Sequence, residues 1–281
     1  MRIVLWIVLV VCIIAAGIFG YLLFSEIIVD MQSQSFFNNM VSDIEFRPRD
    51  GIQGSGDTIG DGGGGGDGSE WMDGMTREWI PFIDFDALNE RYPGIVGWIL
   101  LDDSPINFPI MQHANNNSFF LTHLPDGSRN RSGSIYLDYR NASDFSDEIM
   151  LIFGHHFSQS DAMFSYLRNY RRQEFFDANP IIHIFTPYAD YEMELFAAVL
   201  AHAVHDHPPL EFENEEEFLQ YVRYIRGRSI VRSDLTIYDD DRIVALVTCQ
   251  RDFAGDQGRL IVFGRMVRVA GIDPDGIGAP S

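Results

Sequence analysis

The chain has 281 residues, 46% of them hydrophobic and 13% aromatic, which is ample material for a packed core and excludes global disorder. Its 41 acidic and 20 basic side chains give a formal charge of −21, and every basic residue is arginine. Phosphate binding needs clustered cations, so nucleic acid is excluded as a partner and amine-bearing or cationic partners are electrostatically favoured. Without lysine the chain also offers no ε-amine that would join it to a substrate.

From Ile3 to Phe24 every residue is apolar or small and none is charged, long enough for a helix to cross a hydrocarbon core about 30 Å thick. Arg2 precedes the run and Glu26 and Asp30 follow it, so the positive-inside rule predicts a cytoplasmic N-terminus and an extracellular remainder. Ala15-Ala16-Gly17 would suit a cleavage site, but the apolar run continues to Phe24, and residues 1–25 are read as an uncleaved single-pass anchor in the cell membrane. Residues 26–78 are read as a flexible extracytoplasmic linker, because between Gly51 and Gly68 glycine is mixed with Asp, Ser and Thr around an unbroken run from Gly62 to Gly66. That run lacks the Lys-Ser/Thr ending of a phosphate-binding loop, so it reads as a tether giving reach above the membrane.

Residues 79–270, about 190 in all, form one domain's worth of chain, and the Gly/Pro-rich tail 271–281 is expected to fray. Asp84 to Tyr92 reads as a short helix capped by Asp84 or Asp86 and stopped at Pro93-Gly94. Strands are expected at 95–101, 106–112, 133–138, 149–153, 181–186, 191–203, 243–248 and 260–269. Helices are expected at 162–170, 173–178 and 213–226, the last with Phe218, Tyr221, Val222 and Ile225 on one face behind an acidic first turn, Glu215 to Glu217. Many strands with few helices predict a mainly β fold, a closed or nearly closed barrel rather than a parallel α/β sheet.

Of two cysteines, Cys12 lies inside the apolar run and cannot meet Cys249 across a membrane boundary. An unpaired extracytoplasmic cysteine is a candidate reactive thiol, with a buried structural cysteine as the alternative that composition leaves open. Cys249 ends the apolar run Ile243 to Thr248, Arg259 opens the next strand, and His155 follows Gly154 at the end of Met150 to Phe153. Three strand ends can thus bring a thiol, an imidazole and a cationic donor to one rim: a nucleophile, an acid for a leaving amine and an oxyanion stabiliser. Singly, each residue has an ordinary structural explanation; their joint position carries the functional reading.

Leu246-Val247-Thr248-Cys249 with Arg259 resembles the signature of the sortases, and Gly154-His155 resembles the family's Gly-His. Ile95 to Ile99 resembles the segment leading to the first sortase barrel strands; Gly133 to Asn141, Met163 to Leu167 and the helix before the cysteine strand resemble class B members in particular. The resemblance covers residues 83–269. It implies an eight-stranded β-barrel with peripheral helices, and a cysteine transpeptidase that cleaves a C-terminal sorting motif of the Asn-Pro-x-Thr type on secreted proteins. Cys249 would form a thioacyl-enzyme, Arg259 would stabilise the oxyanion, His155 would protonate the departing amine, and an amine of a peptidoglycan precursor would resolve the intermediate. Thr248 and Ser134 are candidates for positioning substrate. No cofactor or metal is implied.

Several residues compete for these roles. His156 stands where the family often has Asn; Arg251 lies too near Cys249 and Arg265 too far along the last strand to match the family spacing. His202, His205 and His207 lack helical spacing or an accompanying cysteine, which argues against zinc. A pilin-polymerising sortase, an endopeptidase with water as acceptor and a non-catalytic surface domain are the alternatives.

Overall fold

The computed structural model describes residues 6, 12–14, 16–17, 20, 31–42, 44–48, 79–249 and 251–271. Most of the anchor expected at residues 1–25, the glycine-rich stretch and the tail from 272 lie outside the described residues. The described positions of the apolar run are helical and exposed, and among the described residues no helix is long and apolar enough to cross a membrane.

Eight strands close a barrel in the order β10-β8-β7-β3-β4-β5-β6-β9. They are β3 (Ile95–Leu100), β4 (Asn107–Met111), β5 (Ile135–Leu137), β6 (Ile149–Gly154), β7 (Ile181–Phe185), β8 (Ala189–His202), β9 (Arg242–Cys249) and β10 (Gly258–Gly271). Every strand expected from the sequence is present, and each end falls within a few residues of expectation. Two pairings are parallel, β4 with β5 and β6 with β9, and the others are antiparallel. The sheet is therefore mixed, and its parallel joints need long crossovers.

Strand alternation divides the apolar residues into two layers. Met150 and Ile152 of β6, Val244 and Leu246 of β9, and Leu260 and Val262 of β10 join the principal core inside the barrel. The alternate residues, among them Leu151, Ala245, Val247 and Ile261, join a second core on the outer face. Helix α4 (Glu215–Arg228) covers that face with Phe218, Val222 and Ile225. Its N-cap is Asn214, whose side chain accepts from the Glu217 amide at 3.0 Å. Helix α2 (Phe85–Arg91) is capped by Asp84, which accepts from the Ala87 amide. The segment expected as a helix at 162–170 is a 3-10 helix, Met163–Arg171, followed by α3 (Gln173–Ala178).

The N-terminal boundary of the folded unit differs from expectation. Residues 31–42 form a helix, α1, which places Ser33, Phe37 and Met40 at 3%, 4% and 1% exposure. Phe37 meets Phe108 edge-on at 5.2 Å and Phe36 meets Tyr92 at 5.7 Å. Beyond it, β1 (Glu45–Pro48) pairs antiparallel with β2 (Trp79–Phe82). Part of the presumed linker therefore belongs to the folded unit: the spacing 33, 37, 40 lays one face of a helix on the barrel although the segment is rich in Gln, Ser and Asn.

Candidate active site

In the antiparallel β9–β10 register Cys249 lies directly opposite Arg259. Both continue the outward-facing set, Cys249 after Val247 and Arg259 before Ile261, so thiol and guanidinium project from the same face of neighbouring strands about 5 Å apart at Cα. In the parallel β6–β9 register Gly154 lies opposite Thr248, and one further step brings His155 level with Cys249 on the adjoining strand. Three residues separated by up to 104 positions in the chain thus meet at one rim because three strands end at one height. All three are half-buried, accessible to a ligand yet partly shielded from water.

Each group is held from behind. The Nη1 of Arg259 donates to the carbonyls of Asp256 and Gly258 at 2.9 and 2.8 Å, tethering the guanidinium to its own turn while Nε–H and Nη2–H remain in the planar fork. The carbonyl of His155 accepts from the Phe164 amide at 3.0 Å, which fixes its main chain against the 3-10 helix. Its Nε2 lies 2.7 Å from the carbonyl oxygen of Leu121. A carbonyl only accepts, so Nε2 carries a proton, and Nδ1 is the ring nitrogen that this contact does not engage.

Thr248 and Ser134 occupy different positions from those their proposed role needs. Thr248 is 2% exposed and its hydroxyl donates to the Gly154 carbonyl at 2.9 Å; Ser134 is 1% exposed and donates to the His123 carbonyl at 2.9 Å. Both hydroxyls are buried and engaged by main chain, so they shape the site rather than face a substrate. Alternation explains Thr248: it points inward because its neighbour Cys249 points outward. Arg265 lies opposite Ile243, at the far end of β9, and is bound by Glu194 and Asp241. Arg251 opens the short helix α5 (Arg251–Ala254) immediately after the cysteine strand. His156 is half-buried beside His155.

The histidine-rich turn joins the same rim, since His202 lies opposite Gly258 in the β8–β10 register and the Ala203 amide donates to the Gln257 carbonyl at 2.8 Å. Its rings serve the turn: His202 Nδ1 accepts from the Val204 amide and His207 Nδ1 donates to the Pro208 carbonyl. The turn is closed by Asp206, which accepts from the His202 amide and pairs with Arg228. That pairing with Arg228, opposed by partial burial, holds the Asp206 carboxyl down at about 2.

Two contributors carried no signal of their own in the sequence. Leu121 acts through its main-chain carbonyl. Tyr136, the middle residue of the three-residue strand β5, is buried and stacks on Phe153 at 5.3 Å. Burial first, then the charges of Asp138 and Cys249, push its phenol far above the ordinary range, against the opposing effect of Arg259. Tyr136 is therefore a neutral hydroxyl within electrostatic reach of both site residues.

A mainly β closed barrel with a cysteine, an arginine and a histidine at adjoining strand ends is an arrangement able to support thiol-based acyl transfer. No family model matches the chain. Sortase B of Listeria monocytogenes is 30% identical over 184 residues, covering 66% of this chain and 73% of that protein. The solved Staphylococcus aureus sortase B–substrate complex is 28% identical with a TM-score of 0.62, covering 66% of this chain and 85% of that one. A solved sortase B complexed with triglycine, also 28% identical, has a TM-score of 0.61 and covers 66% and 86% respectively. The chain belongs to the class B sortases, and it is an enzyme of their transpeptidase type.

Proposed function

We propose that this chain, anchored by residues 3–24 with its barrel outside the cell, cleaves an Asn-Pro-x-Thr-like sorting motif and transfers the threonyl group to an amine of a cell-wall precursor. The observation that carries the reading is the strand register, which sets Cys249 opposite Arg259 and Gly154-His155 beside Thr248-Cys249. The relatives solved with a substrate and with triglycine support a peptide donor and an amine acceptor of this kind.

The thiolate of Cys249 attacks the threonine carbonyl carbon, and the carbonyl π pair moves onto oxygen beside the Arg259 fork, whose donors stabilise the developing charge. Collapse breaks the scissile C–N bond, and protonated His155 delivers its Nδ1 proton to the departing amine. The thioester then accepts the lone pair of the incoming amine, His155 takes back the proton, and Cys249 leaves as thiolate. The neutral Tyr136 hydroxyl lies beside this path and adds no charge that would oppose the oxyanion.

The test is incubation of the protein with an Asn-Pro-x-Thr peptide, with and without triglycine, followed by mass spectrometry. A peptide–triglycine product that disappears in Cys249→Ala and persists in Cys12→Ala is expected. Hydrolysis alone with abundant triglycine would make it an endopeptidase, and full turnover by Cys249→Ala would overturn the assignment of the nucleophile.

A further inference from the structure

We infer that helix α1, through Ser33, Ser132 and Gly133, is a positioning element for His155: it buttresses the Leu121 carbonyl that selects the histidine tautomer. The inference rests on the reading of His155 as the acid/base residue.

The β4–β5 crossover folds back on itself around Leu121. On one side of Leu121 the Phe120 carbonyl accepts from the Ser134 amide at 2.8 Å, and on the other the Thr122 carbonyl accepts from the Asn130 amide at 2.9 Å. The Leu121 carbonyl between them is the one presented to His155. Behind it stands Gly133, with φ +59°, where an added Cβ would lie 2.3 Å from the Phe120 oxygen and 2.9 Å from both the carbon and the oxygen of the Leu121 carbonyl. Only glycine satisfies both the left-handed backbone and this approach. The returning segment is thus pressed against the peptide group that holds the imidazole.

What fixes that segment comes from the far end of the chain. Ser132, 1% exposed, receives a hydrogen bond on its hydroxyl from Ser33 at 3.1 Å across 99 residues, while its amide donates to Asn130 Oδ1 at 2.8 Å. Ser33 is seated by Phe37 and Met40, one and two turns further along α1, both in the principal core. A continuous path of contacts, buried at its α1 end and half-buried at the site, therefore runs from α1 through Ser33, Ser132, Gly133 and the Leu121 carbonyl to Nε2 of His155. Loosening its outer end frees the Leu121 peptide to rotate, lets the imidazole take its other neutral tautomer, and removes the proton-exchanging lone pair from Nδ1. Because α1 lies between the apolar run and the glycine-rich stretch, the catalytic geometry depends on a segment that otherwise reads as part of a tether.

The experiment uses the full chain with ¹⁵N-labelled histidine, and the His155 ring signals are assigned by their loss in His155→Ala. Ser33→Ala is expected to lower kcat about three- to tenfold with KM within about twofold, and to convert the ring from a single Nε2–H form to a mixture. Phe37→Ala, which undocks the same helix by another route, should shift the ring signals the same way. Ser42→Ala, on the solvent face of α1, should leave rate and spectrum unchanged. An unaltered Nε2–H spectrum in both Ser33→Ala and Phe37→Ala, whatever their rates, would overturn the inference while leaving the site assignment intact. Full activity of His155→Ala would instead overturn the acid/base reading on which the inference rests.

Discussion

Replacing Thr248 by valine separates a scaffold role from a substrate-binding role. Thr248 is 2% exposed and its hydroxyl joins β9 to the carbonyl that ends β6, and valine keeps its shape while removing the donor. A buried acceptor left without its partner costs about 1–3 kcal/mol. With a slope of roughly 2 kcal/mol per M urea, the unfolding midpoint should fall by about 0.5–1.5 M. The same bond sets the relative height of Gly154-His155 and Thr248-Cys249, and catalytic geometry is steeply sensitive to displacement, so kcat should fall about tenfold with KM nearly unchanged. Urea unfolding followed by tryptophan fluorescence and steady-state transpeptidation measure the two effects. A KM raised fivefold or more with an unmoved midpoint would refute the reasoning, because it would mean that the hydroxyl contacts substrate.

Arg259→Ala should cost about a hundred- to a thousandfold in kcat/KM, as loss of an oxyanion donor does. Arg259→Lys should recover only part of this because an ammonium lacks the planar fork, whereas Arg265→Ala, at the far end of the strand, should lower stability and spare kcat. Gly154→Ala would place a Cβ 2.5 Å from Ile135 Cδ1 and 2.6 Å from Phe164 Cγ; overpacking of this kind costs about 1–3 kcal/mol, read as a lowered Tm. The Asp206 carboxyl, depressed from 3.8 to about 2 by Arg228, contributes stability that is fully present above its unfolded value and is lost as pH falls through its folded one. Asp206→Asn should therefore be less stable than wild type at neutral pH, and the difference should shrink between pH 4 and pH 2 in acid-unfolding curves. Sedimentation of full-length protein with membranes, together with N-terminal sequencing, tests the anchor: a terminus beginning beyond Gly17 would count against it.

What the sequence disclosed follows from periodicity. The barrel strands are apolar runs bounded by turn residues, and a strand buried on both faces, such as β9, announces itself through composition alone. The ends of three such runs also located Cys249, His155 and Arg259, since the chemistry of each side chain stands in the sequence and the register only has to bring them level. Contacts made by main chain or by distant segments left no comparable mark. Leu121 contributes a carbonyl that any residue would supply, and β1 and β2 meet across a glycine-rich stretch that conceals their pairing. Helix α1 places only Ser33, Phe37 and Met40 in the core among polar neighbours, too sparse a stripe to stand out from a tether. Thr248 and Ser134 were legible as polar residues near the site, but the direction of a side chain depends on alternation counted from a known strand end.

The outer face of β6, β9, β10 and β8 serves two purposes, and the extent of α4 decides where one gives way to the other. Over the lower part of the face Phe218, Val222 and Ile225 seal the sheet, and Val247 beneath them is 6% exposed. Two residues further along the same strand and on the same face, Cys249 is half-buried. The face remains structurally continuous across that step, so the thiol stands on a floor as rigid as the second core while remaining open above. Rigidity and access, which compete when a side chain is carried on a loop, are reconciled at Cys249 by ending the covering helix short of the strand's last outward position. The turn after β8, closed by Asp206 and Arg228, brings the chain from the rim beside Arg259 to the start of that helix. The wall of the site and the cover of the core are therefore one connected segment, and a change in either should be felt in the other.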